Sequence, residues 1–196
     1  MKTAALIAVA GVAAAAQAQS ATWMADVNIV NDTTAEWTLS VEMAADAEFV
    51  ALSAAIFDTL NTAGSEFGDI TSWEVLNSLD ELTGDLTTSD GDSLFGTNAG
   101  QLTVFGPFSS DNPIDVLKFT WEAADGFTIG DGPDTVSYST STESFLIWAG
   151  ADKESAEAVD AIGNVTEAEF NWTVVPTPAS AALLGLGGLA LARRRR

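Results

Sequence analysis

The sequence predicts an all-β protein, an antiparallel sandwich of about eight strands with one short helix. A signal peptide precedes this body and a C-terminal hydrophobic helix follows it. Three observations predict that architecture. Apolar and polar residues alternate with period two in three separate runs, the signature of strands with one wet and one buried face. Clusters of Gly, Asn, Asp and Ser break the chain between such runs, as turns do. The acidic residues lie between two nearly uncharged apolar stretches, which sets the strand-bearing body apart from both ends.

The N-terminus reads as a leader, residues 1–18. Met1 and Lys2 give a positive start, and residues 4–16 are almost wholly apolar. Ala16-Gln17-Ala18 fits the small-x-small rule, which places cleavage after Ala18.

The body, residues 19–174, is long enough for one domain with its own core. Its first strand is expected over residues 22–30. Trp37, Leu39, Val41 and Met43 alternate with Thr38, Ser40 and Glu42 in the next. Residues 49–57 are more continuously apolar, as in a strand covered on both sides. Trp73, Leu76, Leu79 and Leu82 fall three apart, and Thr71 with Glu74 fits a capping box, so a short helix is expected here. A strand over 101–105 follows. Leu117, Phe119 and Trp121 then alternate with Lys118 and Thr120. Further strands are expected over 135–140 and 144–148, and a second, weaker helix over 151–162. Phe170, Trp172 and Val174, alternating with Glu169, Asn171 and Thr173, form the last strand.

The last segment, residues 175–196, has three parts. Val175-Pro176-Thr177-Pro178 should interrupt regular strand and leave the fold as an extended arm. Residues 179–192 carry no charge. As a helix they would rise ~21 Å, short of a hydrocarbon core of about 30 Å. Arg193, Arg194, Arg195 and Arg196 form a cationic cluster that stays on the cytoplasmic side of a bilayer.

This order of Pro-x-Pro motif, short Gly- and Leu-rich apolar helix and terminal arginines resembles the PEP-CTERM sorting signal of Gram-negative exported proteins. That family reads Val-Pro-Glu-Pro; here Val175, Pro176 and Pro178 match, and Thr177 stands in place of the glutamate. The resemblance covers about a tenth of the chain. It implies handling by an exosortase-type membrane protease, with cleavage near the motif, in a setting rich in exported polysaccharide. Residues 49–57, Gly100-Gln101-Leu102 and the stretch from Asn112-Pro113-Ile114 to Trp121 resemble cohesin-like sandwiches in the order of their parts.

Charge and composition exclude several functions. Of the basic residues only Lys118 and Lys153 lie in the body, against all 28 acids, which leaves it at about −26. Nucleic acid and anionic membrane surfaces need clustered Lys and Arg, so both are excluded as partners of the body. The chain has no Cys and no His. Zinc or copper sites built on those ligands, and Ser-His-Asp or Cys-His catalysis, are therefore unavailable.

Three site chemistries remain to be weighed. Asp90-Gly91-Asp92 near Asp85, and Asp125-Gly126 followed by Asp131-Gly132-Pro133-Asp134, could offer oxygens to structural calcium. Neither has the full spacing of an EF-hand loop, and Asp with Gly is also the ordinary composition of turns. Six tryptophans, Trp23, Trp37, Trp73, Trp121, Trp148 and Trp172, could stack on sugar rings if several were exposed in a row. Trp37, Trp121 and Trp172 instead fall on the apolar phase of their strands. A glycosidase pair of carboxylates is compatible with so many acids, but no pair is singled out.

The reading is a non-enzymatic exported protein with no catalytic residue and no cofactor beyond the calcium candidate. It would pass through the inner membrane to the envelope, cell surface or extracellular matrix of a Gram-negative-type bacterium. The runner-up is a carbohydrate-binding or adhesion module, and the remote alternative is a secreted glycoside hydrolase. Extracellular polysaccharide is a candidate partner.

Overall fold

The computed structural model describes residues 5–7, 19–62, 65–78, 86–101 and 111–177, and at 5–7, 65, 131 and 133 the backbone alone. Among them twelve strands form two six-stranded sheets. The first sheet runs β1 (Ala5–Ile7), β2 (Gln19–Ile29), β3 (Thr34–Ala45), β8 (Ile114–Ala123), β5 (Gly68–Val75), and β11 (Val165–Thr166) also pairs with β2. The second runs β10 (Glu157–Asp160), β9 (Phe127–Gly150), β4 (Phe49–Asn61), β7 (Leu94–Ala99), β6 (Thr88–Ser89), and β12 (Glu169–Pro176) also pairs with β9. All pairings are antiparallel except β11 on β2.

The predicted alternation places the core. Trp37, Leu39, Val41 and Met43 are buried on β3, as are Leu117, Phe119 and Trp121 on β8. They meet Phe57, Tyr138, Phe145 and Phe170 of the second sheet in one continuous cluster. Trp23 lies 4.5 Å from Phe57, and Phe119 lies 5.5 Å from Tyr138, ring centre to ring centre. Each such fully buried aromatic contributes about 1.5–3 kcal/mol. The body is therefore an all-β sandwich, as its periodicity predicts.

Neither expected helix forms among the described residues. Thr71 and Trp73 lie on β5, where Trp73 pairs with Phe119 and Val75 with Leu117 of β8. The spacing of three is the accident of a strand, Gly68–Val75, running into a turn at Asn77, whose φ is 53°. Pairing with a core strand has overridden the local pattern. Leu79 and Leu82 lie outside the described residues.

Over 151–162, Asp152 captures the chain instead. Its Oδ1 accepts the backbone N–H and the hydroxyl of Ser155 at 2.8 and 2.6 Å. That local turn competes with helix. β10 and a short 3-10 turn, Ile162–Asn164, follow it.

Two expected strands, 135–140 and 144–148, prove to be one strand of 24 residues, β9. Gln101 lies in a bend after β7, and the rest of the strand expected over 101–105 lies outside the described residues. The predicted leader contributes Ala5–Ile7, which pair antiparallel with Val27 to Ala25. Ala16, Ala18 and the apolar run of 179–192 lie outside the described residues.

Candidate functional site

The C-terminal motif grows directly out of the sandwich. β12 does not stop at Val174: Val175 pairs with Thr128 and Pro176 with Phe127 of β9. The expected free arm therefore begins later than Val175. Pro176 is tolerated because β12 is an edge strand at the end of its sheet, where a missing N–H need not break a ladder. The Thr128 hydroxyl donates to the carbonyl of Val175 at 3.3 Å, and the Thr177 N–H donates to the carbonyl of Gly126 at 2.6 Å. Three of the four motif residues are thus fastened to the body. Pro178 and Arg193 to Arg196 lie outside the described residues.

The residues that receive the motif were not singled out for that role. Register between β12 and β9 jumps at Thr173/Val174, from Thr135 to Ile129, so residues 130–134 bulge past β12 without partners there. Bare backbone is needed on both sides of the bulge. A Cβ on Gly132 would lie 1.8 Å from the Val174 carbonyl, and one on Gly130 would lie 2.9 Å from the Val175 side chain. The Thr173 hydroxyl also donates to the Gly130 carbonyl. The glycines were visible in the sequence, but within a run that also suits calcium.

That second calcium run, Asp131 to Asp134, is carried on β9 as this bulge and does not form a loop between strands. Asp125 and Gly126 form the tight turn from β8 into β9, closed by the Phe127 N–H on the Ala124 carbonyl at 3.1 Å. The first run is a turn as well. Asp90 accepts the Ser93 N–H at 3.0 Å, and Gly91, with φ of 105°, supplies the left-handed residue. Ser93 donates to Asp92 at 3.2 Å, and the Gly91 carbonyl accepts the Ile70 N–H at 2.7 Å. This brings Asp69, Asp90 and Asp92 together. Burial first, then a hydrogen bond and the charge of Asp90, push the Asp92 carboxyl above its ordinary range. Among the described residues no group of three or more carboxylates is placed to hold a metal ion. Asp85 lies outside them.

The tryptophans are divided between core and surface. Trp23, Trp37 and Trp121 are buried, and Trp172 packs edge-on against Trp121 and Trp37, centres 4.6 and 5.0 Å apart. Trp148 is half-buried, and Trp73, at 40% exposure, is the one exposed tryptophan among the described residues. They do not form an exposed row. A shallow open hollow of about 440 Å³ lies between Gln19, Asp46, Ala47 and Glu48 on one side and Ala149, Gly150 and Ala151 on the other. Its two acids sit in the β3–β4 turn.

In comparison with known proteins, the chain matches no family model, no curated protein and no solved structure.

Proposed function

We propose that this chain is a non-enzymatic exported protein, delivered to the cell envelope or the surrounding matrix by a PEP-CTERM-like C-terminal signal. Its body is an acidic sandwich, cohesin-like in the order of its parts. The observation that carries the reading is the sequence order at the C-terminus: Val175-Pro176-Thr177-Pro178, which begins on the last two residues of β12, then an uncharged run, then four arginines. Residues 4–16 engage the export machinery and Ala16 with Ala18 mark the leader cut. Residues 179–192 halt in the inner membrane, and Arg193 to Arg196 hold the end on the cytoplasmic side.

The fastening of Val175 to Thr177 supports a definite division of labour. The last hydrogen bond between body and motif among the described residues is made by the Thr177 N–H. An exosortase-type protease then meets peptide bonds from Thr177 onward, beyond a rigid edge strand, and the folded body stays intact after the cut. The carbohydrate-binding alternative loses its main support, since an isolated Trp73 offers one stacking face and not a row.

The test is intact-mass analysis of the chain exported from a Gram-negative host that carries an exosortase-type protease. The expected product begins at Gln19 and ends near Pro178. A product that still runs through Arg196 overturns the sorting reading in favour of a permanent anchor.

A further inference from the structure

The outer edges of the two sheets are not alike. β5 is broken by a register shift between Ile70 and Ser72 and carries Asp69 and Glu74. β12 has its own shift and ends in Pro176. β10 is four residues long with an acid at each end, and β6 has only two residues. These are the usual devices by which an edge is kept from pairing with another chain. β2 has only one of them, a single charge. Its eleven residues pair with β3 in unbroken register from Gln19↔Ala45 to Ile29↔Ala35, and its one acid is Asp26.

What covers the other side of β2 is short and comes in two pieces. β11 lies parallel against Ala21 and Thr22. β1 lies antiparallel against Ala25, Asp26 and Val27. β1 belongs to residues 1–18, the segment expected to be cut away after Ala18. Beside it, Ile29 and Val30 are 44% and 47% exposed.

The geometry points to residues 25–29 of β2 as a strand-acceptor edge that leader removal opens and that β2 of a second copy fills. This inference rests on the export reading, because it is the cut that frees the edge. β1 already demonstrates that the edge takes an antiparallel strand. The pairing with β1 starts at Ala25 and the pairing with β3 ends at Ile29, so the stretch that leader removal opens is centred on Val27. A two-fold axis there makes the interface isologous. Ala25 then faces Ile29 of the second copy, Asp26 faces Asn28, and Val27 faces Val27. The exposed carboxylate of each copy thus meets an amide and not another carboxylate, and exposed Ile29 gains cover. Main-chain hydrogen bonds supply the attraction, as in other strand additions. The charge of the two bodies opposes it, so pairing strengthens with salt.

The absence of cysteine makes the test direct. A site-specific protease sequence is inserted between Ala18 and Gln19 of the full chain carrying Val27→Cys, which is then the single thiol. Oxidation before and after the cut is followed by non-reducing gel. The expected result is at least tenfold more disulfide-linked dimer after the cut. The Asn28→Cys chain should link little, since its two thiols would sit on Cα atoms roughly 8 Å apart, beyond disulfide reach. Light scattering of the unsubstituted cut chain in high salt should give twice the monomer mass. A monomeric cut chain, equal linking before and after the cut, or equal linking at 27 and 28 overturns the proposal. Intact mass of the exported chain reports on the leader separately. If residues 1–18 are retained there, the export reading fails while the in vitro cut still decides the edge.

Discussion

At the scale of single residues, two amides stand in for backbone. The Gln101 side chain accepts the Leu52 N–H at 2.7 Å and donates to the Asp111 carbonyl at 3.2 Å. Asn112 accepts the Met43 N–H at 2.8 Å and returns a hydrogen bond to the Met43 carbonyl at 2.6 Å. Gln101→Leu should therefore cost about 1–3 kcal/mol in a denaturant titration, because it strands the buried Leu52 N–H. The Tyr138 hydroxyl presents the opposite case: it is buried and finds no hydrogen-bond partner among the described residues. Tyr138→Phe should raise stability by about 1 kcal/mol, and a loss of that size would mean that the hydroxyl is satisfied. Asp92 gives a pH dependence. Its folded pKa lies above its ordinary 3.8, through burial first and then Asp90, so the folded state holds the proton more tightly than the unfolded chain. Its contribution therefore favours folding as pH falls through the raised value toward 3.8, and opposes folding at neutral pH. Asp92→Asn should raise Tm at pH 7 by the equivalent of a few tenths of a kcal/mol, a small gain because solvent screens the site. The gain should shrink in 1 M salt and vanish below pH 3.

At the scale of elements, the strands that face the core on one side were legible and the others were not. β3, β8 and β12 show clean alternation because one face packs Trp37, Phe119 or Phe170 and the other meets water. β7 was missed: Leu94 and Phe95 are adjacent and Gly96, at φ 66°, interrupts the period. β10 was hidden because its side chains are mostly exposed, so burial left no mark on its sequence. β9 read as two strands because Ser141-Thr142-Glu143 are all polar, and the pairing with β4 skips Glu143 there. Its first third went unread because Gly130 and Gly132 break the period, and what those glycines accommodate is β12, some forty residues away in the chain. That bulge yields a prediction at this scale. Gly132→Ala should destabilise the body by about 1–3 kcal/mol through overpacking against the Val174 carbonyl. Hydrogen exchange should then quicken at Val175 and Thr177 before it quickens at Trp37. Equal quickening at both would mean that the end of β12 is not a separate unit. The motif itself was legible as residues, but its attachment was not, because Gly126 and Thr128 bear no mark of a distant partner.

At the scale of the whole molecule, charge was the most legible property and has the broadest consequence. Two lysines cannot neutralise 28 acids, and the pair of Lys118 with Glu36 is loose, at 3.9 Å with both side chains exposed. Self-repulsion should make Tm rise by several degrees between 50 mM and 1 M sodium chloride. Calcium should act as a screening ion here: at matched ionic strength it should shift Tm no more than magnesium does. A larger calcium shift would place a binding site where the described residues gather none.

The pairing of β2 with β11 joins the start of the body to a point near its end, Ala21 to Val165. β12 then locks the first part of β9 after that. Among the described residues β2 and β3 each need a partner from the later chain, β11 and β8, so such a topology closes late. While the ribosome is still delivering the second half, the first half has little to fold onto. Were the chain exported as proposed, a pore that admits only threaded polypeptide would meet it still linear, and the sandwich would assemble on the far side.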